Sequence, residues 1–193
     1  IYLCGGGMEI SAYVNSYQIL GMNSGFGLMV FSDENIQALA KQYVTEILLQ
    51  DANGPFRIGG YCSGGIIAYA MAKQLKALGK KVELLFLIDQ FITQPYSGKI
   101  AFFLFQNNNV LTDLQQPGSN KLLRNLFPQG WSVDTIPGKH GTELSSNSAM
   151  VLSERISARL AINKKHNSLP QAAFQVQWQF LSIENKETHV TLT

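Results

Sequence analysis

Two cysteines, Cys4 and Cys62, are all that this chain of 193 residues contains. Two thiols cannot make a disulfide framework, and a reducing compartment, the cytoplasm, is the expected location. Charge is scarce as well: 15% of the residues are charged and the net charge is only +2. Nothing electrostatic argues for nucleic acid or an anionic membrane as partner. No apolar run reaches the length of a membrane span. The three histidines, His140, His166 and His189, have no cysteine or acidic companions at ligand spacing, so no metal site is expected. The first residues, IYLCGGG, lack the basic flank and cleavage site of a signal peptide. They read as a strand entered directly, as in a domain cut from a longer protein.

The chain does have enough apolar residues, 46%, for one sizeable core. Short apolar segments are expected as strands at Ile1–Cys4, Gly27–Phe31, Phe56–Gly60, Val82–Ile88, Lys99–Phe105 and Trp131–Pro137. Between them, helical spacing predicts helices over Ser11–Leu20, Asn35–Gln50, Ser63–Leu78 and Ala149–Ile162, with Ser32 or Asp33 able to cap the second. The run VELLFLI at Val82–Ile88 is apolar but for Glu83, as expected of a central parallel strand buried on both faces. Strands alternating with helices imply an α/β fold with a mostly parallel sheet. In such sheets sites form at the carboxyl ends of the strands. The domain is expected to occupy residues 1–162. Residues 163–193 form an extension in which AFQVQWQF alternates as a half-buried edge strand would, or as part of a partner contact.

One turn carries chemistry. Gly60-Tyr61-Cys62-Ser63-Gly64 fits the pattern Gly-x-nucleophile-x-Gly between a strand and a helix. Four glycines fall between Gly59 and Gly65, where larger residues would clash with strand or helix. A thiol at a helix N-terminus near an imidazolium is readily ionised. Cys62 is therefore the candidate nucleophile, against the plainer reading of a small buried residue in a tight turn. Ser63, one residue past the apex, is expected to give its backbone N–H to an oxyanion. Gly7, in Gly5-Gly6-Gly7, is the candidate for a second donor. Cys4 ends a buried strand and is expected to pack rather than react.

His140, in IPGKHGTEL just after the last strand, is the candidate base. His166 lies in a lysine-rich stretch and His189 near the chain end. The candidate for the acid that orients the base is Asp89, which closes VELLFLID; a carboxylate there needs a partner. Asp113 and Asp134 compete, both in polar, loop-like sequence.

The stretch Ile58–Gln90 closely resembles the α/β-hydrolase thioesterase domains that end nonribosomal peptide and polyketide synthetases. Those show a G-Y-S-x-G-G turn, an A-x-x-M-A-x-x-L helix and a strand ending in Asp. Here the matching residues are Gly60–Gly65, then Ala68, Met71, Ala72 and Leu75, then Asp89. PYSGKIAFF and IPGKHGTEL are similar to further family features, and the likeness covers about Ile1–Leu160. It implies a triad of Cys62, Asp89 and His140. It implies an acyl or peptidyl chain delivered as a phosphopantetheine thioester by a carrier protein, no cofactor bound by the domain itself, and release by cyclisation, aminolysis or hydrolysis. Cysteine stands where the family usually has serine, as in a minority of members. Asp89 is followed almost at once by Pro95-Tyr96-Ser97-Gly98, leaving a handful of residues for the family's helical lid, which is expected to be short or missing here. The tail from Asn163 has no family counterpart. A stand-alone editing thioesterase is the rival within the same fold, and a non-catalytic hydrolase-like binding module is the rival of another class.

Overall fold

The computed structural model describes residues 1–5, 18–22, 31–139 and 145–166, the last five as backbone only. Its strands are β1 (Tyr2–Cys4), β2 (Leu20–Met22), β3 (Phe56–Tyr61), β4 (Val82–Ile88), β5 (Ile100–Phe105) and β6 (Trp131–Ile136). They form one sheet in the order β2-β1-β3-β4-β5-β6, and every neighbouring pair is parallel. The helices are α1 (Asp33–Gln50), α2 (Gly64–Ala77), α3 (Val110–Leu114), α4 (Ser119–Leu126) and α5 (Ser146–His166).

The position of β4 explains why its sequence is apolar without alternation apart from Glu83, which is buried and paired with Arg57. Leu85 and Leu87 point into the core shared with α1 and α2, while Leu84, Phe86 and Ile88 point into the core shared with α5. Both faces are dry, so both sets must be apolar. α1 begins where the sequence allowed: Ser32 Oγ accepts the Asn35 N–H at 3.2 Å, satisfying one of the helix's orphan donors. Its stripe of Ile36, Ala40, Tyr43, Val44 and Ile47 is buried.

Three expectations need correction. Of the helix expected over Ser11–Leu20, residues 11–17 lie outside the described residues, and Gln18 and Ile19 are in neither helix nor strand. Leu20 begins β2, whose register pairs Leu3 with Gly21. Three residues are too few to show alternation, and Gly21 serves an edge strand, not a helix stop. The expected strand at Gly27–Phe31 lies outside the described residues except for Phe31, which is in neither helix nor strand. Second, α3 and α4 interrupt what read as plain connection. α3 is one turn, and α4 opens after Gly118 at φ 92° with Leu123 as its one buried residue; Leu123 and Leu126, three residues apart and both packed on the core, form an apolar face that the sequence reading passed over. Third, α5 runs from Ser146 to His166. It starts before the expected Ala149 and continues past the expected helix end at Ile162. AFQVQWQF lies outside the described residues.

Asp134 also departs from its polar, loop-like reading. It sits within β6, 4% exposed. Both its oxygens accept from Arg159 of α5, at 2.9 and 2.8 Å, and Arg155 approaches at 3.5 Å. It ties α5 to the sheet and is not an acid for the site. Asp134→Ala is expected to cost about 2 kcal/mol, below the full penalty for a broken buried pair because both arginines can reach water. Chemical denaturation would show the loss, with Cys62 alkylation unchanged in the folded variant.

Candidate functional site

The chain runs from β1 outward to β2, then crosses to β3 on the other side of β1. The carboxyl ends of β1 and β3 therefore flank a topological switch point, where α/β sheets form their crevices. Gly5 follows β1 and Cys62 follows β3 at this point, and Asp89 follows β4 next to it.

Cys62 has φ 50°. Among the described residues, only Cys62 and Asp89 combine a positive φ with a side chain. For each the conformation costs roughly 1–2 kcal/mol. The surroundings impose it. The Cys62 N–H donates to Ile88 O at 2.9 Å, and the Cys62 carbonyl accepts from the Gly65 N–H at 2.9 Å. Both strained residues are thus tied through the end of β4. Cys62 is partly exposed. Ser63 is the N-cap residue of α2, and its side chain makes no capping bond, so the positive end of the helix faces the thiol without a competing side-chain acceptor from the cap.

The glycines make the turn possible by close approach. A Cβ on Gly60 would lie 2.2 Å from Gly64 O, and one on Gly64 would lie 2.3 Å from Cys4 O. β1, the turn and α2 interlock through bare backbone. Cys4, in contrast, is wholly buried, with its Sγ 3.3 Å from Met71 Sδ. Burial pushes its thiol up to about 12, so it packs and does not react, as the sequence suggested.

Asp89 is 7% exposed. Its N–H donates to Phe103 O at 2.7 Å. Its Oδ1 accepts from Asn108 Nδ2 at 2.8 Å and, more distantly, from the Phe105 N–H at 3.5 Å. Asp113 lies exposed on α3. Of the three acidic candidates, Asp89 alone stands beside Cys62. Asn108 escapes sequence reading. Its only signal is the run of three asparagines, Asn107 to Asn109, directly after a buried strand at the site end of the sheet.

β6 delivers Gly138, at φ 111°, and Lys139 to this same sheet end. His140 and Gly7, expected as base and second oxyanion donor, lie outside the described residues, as does His189; His166 ends α5. Between Asp89 and Ile100 the chain forms neither helix nor strand. Pro95 O accepts from Tyr69 Oη at 2.8 Å, the Tyr96 N–H donates to Leu126 O at 2.9 Å, and Phe91 packs on Phe102 with ring centroids 4.5 Å apart. This short segment, pinned to α2, α4 and β5, is all that joins β4 to β5.

Residues 31–99 match the family described as Thioesterase domain. The chain is 39% identical over 72 residues to the non-reducing polyketide synthase terA of Aspergillus terreus, covering 36% of this chain and 4% of that one. It is 42% identical over 59 residues to the non-reducing polyketide synthase CTB1 of Cercospora nicotianae, covering 31% and 3%. It thus spans only a few per cent of the length of these curated relatives. Among solved structures it is similar to the NocB thioesterase domain from the nocardicin cluster. The TM-score is 0.64 at 18% identity, over 83% of this chain and 92% of that one. It is also similar to the surfactin-cyclising thioesterase domain SrfTE, with TM-score 0.58 and 12% identity over 80% and 90%. The fold is the α/β-hydrolase fold of thioesterase domains.

Proposed function

We propose that this chain is the thioesterase portion of a polyketide or nonribosomal peptide synthase and releases the finished acyl chain through Cys62. The observation that carries the reading is Cys62 held at φ 50° on the strand-to-helix turn. The match to the thioesterase family, residues 31–99, includes both Cys62 and Asp89. A carrier protein of the same synthase presents the chain as a phosphopantetheine thioester, and the domain binds no cofactor of its own. The Cys62 thiolate attacks the thioester carbonyl. The Ser63 and Gly7 amides receive the oxyanion, a contribution of about 3 kcal/mol per donor. The carbon–sulfur bond to pantetheine breaks, and the departing thiolate takes a proton from His140. His140 then removes a proton from water, or from an internal hydroxyl or amine. That nucleophile displaces the Cys62 sulfur, which takes the proton back. Asp89 holds the imidazole tautomer.

Sulfur matters in the second half. Transfer between two thioesters is nearly thermoneutral, whereas an oxoester on serine would dissipate part of the activation. A cysteine acyl-enzyme keeps it for a weak or ring-closing nucleophile, which favours cyclisation or aminolysis over hydrolysis. The large synthases among the relatives favour a domain within such an assembly over a stand-alone editing enzyme. The strain at Cys62 argues against a non-catalytic module, which would have no use for it.

The test is intact-protein and peptide mass spectrometry after incubation with a hexanoyl N-acetylcysteamine thioester. One acyl adduct is expected on Cys62 and none on Cys4. Iodoacetamide at pH 6 is expected to label Cys62 and block loading. Undiminished thioester cleavage after Cys62 is labelled would overturn the reading.

A further inference from the structure

The proposed reaction asks Asp89 to hold an imidazole in one orientation. A carboxylate can do so only if its own plane is fixed. The strained backbone fixes where the Asp89 side chain starts but not how the carboxylate turns about its last bond. We propose that Asn108 is the positioning residue that locks the Asp89 carboxylate, and that through Asp89 it sets how readily Cys62 ionises. The inference rests on the triad reading above.

The Asn108 amide is held at both ends. Its Nδ2 donates to Asp89 Oδ1 at 2.8 Å, and its Oδ1 accepts from the Val110 N–H at 3.0 Å. The second bond decides the first. If the amide were flipped, its oxygen would face a carboxylate and its NH₂ would face an N–H, so only one orientation satisfies both. The backbone holds it too: the Asn108 N–H donates to Phe105 O at 2.9 Å and its carbonyl accepts from the Leu111 N–H at 3.0 Å. The clamp therefore reaches Asp89 from the end of the next strand, β5. With Oδ1 fixed, the direction of Oδ2 is fixed as well. Hydrogen bonds to a charged acceptor are the stronger kind, and this one is partly buried.

The competing explanation is that Asn108 only shapes the turn into α3. Asn108→Ser separates the two roles. A serine hydroxyl can still accept from the N–H two residues on, but it lacks the amide donor aimed at Asp89. Asn108→Ser and Asn108→Ala are both expected to lower kcat/KM for hexanoyl N-acetylcysteamine thioester about tenfold, mainly through kcat. The pH midpoint of Cys62 alkylation by iodoacetamide should rise in both, with little change in thermal midpoint. In Asp89→Ala, adding Asn108→Ser should cost nothing further. If Asn108→Ser matches the parent in rate and alkylation profile while Asp89→Ala is impaired, the clamp is wrong and the triad stands. If Asp89→Ala itself matches the parent, the triad reading fails and the clamp with it. If Asn108→Ser lowers kcat/KM equally with Asp89 present or replaced, Asn108 does not act through Asp89.

Discussion

Cys62→Ala is expected to abolish acyl loading and to lower turnover at least about 10⁴-fold, since on the proposed mechanism loss of the nucleophile leaves only binding and oxyanion stabilisation. The variant should fold as well as the parent, because alanine bears the same left-handed strain that Cys62 does at φ 50°. Cys62→Gly should be equally inactive but more stable by about 1 kcal/mol, the strain being released. That pairing is diagnostic: a residue whose replacement stabilises the fold while ending the reaction is held in place for the reaction. Cys62→Ser should still load an acyl group. Its oxoester should resist ring closure more than hydrolysis, so the product ratio should shift toward the free acid. Product analysis by liquid chromatography and mass spectrometry on the native acyl chain measures the ratio. An unchanged ratio at an unchanged rate would remove the case for sulfur, and full activity in Cys62→Ala would remove the nucleophile.

What could be read from the sequence follows how local its cause is. VELLFLI predicts β4 residue for residue because burial on both faces writes itself into consecutive positions. The turn around Cys62 is legible because close backbone approach demands glycine at fixed offsets. Asp89 is legible as an isolated carboxylate after a buried strand. The unread features depend on partners far along the chain. β2 exists because Leu3 offers it a ladder, not because Leu20–Met22 favours extension. Asp134 looks like a loop acid until Arg159, 25 residues on, is seen to claim both its oxygens. Asn108 is one of three adjacent asparagines, and only its place beside the end of β4 distinguishes it. α4 is short, and its helical spacing rests on Leu122, Leu123 and Leu126 alone.

The same interlocking that made the turn legible makes it fragile, and Gly64→Ala should show this most clearly. The added Cβ would meet Cys4 O at 2.3 Å, Cys4 C at 2.6 Å and Gly5 N at 2.8 Å, all of them backbone. Neither side can retreat cheaply. β1 is laddered to β2 on one edge and β3 on the other, and α2 is fixed by buried Ala68, Met71, Ala72 and Leu75. The expected cost is about 3 kcal/mol, lowering the thermal midpoint by about 10 °C for a domain of this size. The relaxation that accommodates the methyl must part α2 from β1, carrying Cys62 and the Ser63 amide away from the loop that follows β1. Activity should therefore fall in the fraction that remains folded. Gly65→Ala is the matched control. Its Cβ would meet Gln90 Cβ at 2.8 Å and Cγ at 2.9 Å, with Leu87 Cδ2 at 3.5 Å; Cγ can rotate away, and Cβ can retreat with its own loop, which lies in no helix or strand, so the cost should be smaller than at Gly64. If calorimetry and loading assays find the two variants equivalent, the contact between α2 and β1 does not hold the nucleophile in place. A large gap between them would identify backbone contact, and not glycine content alone, as what keeps Cys62 in its strained position.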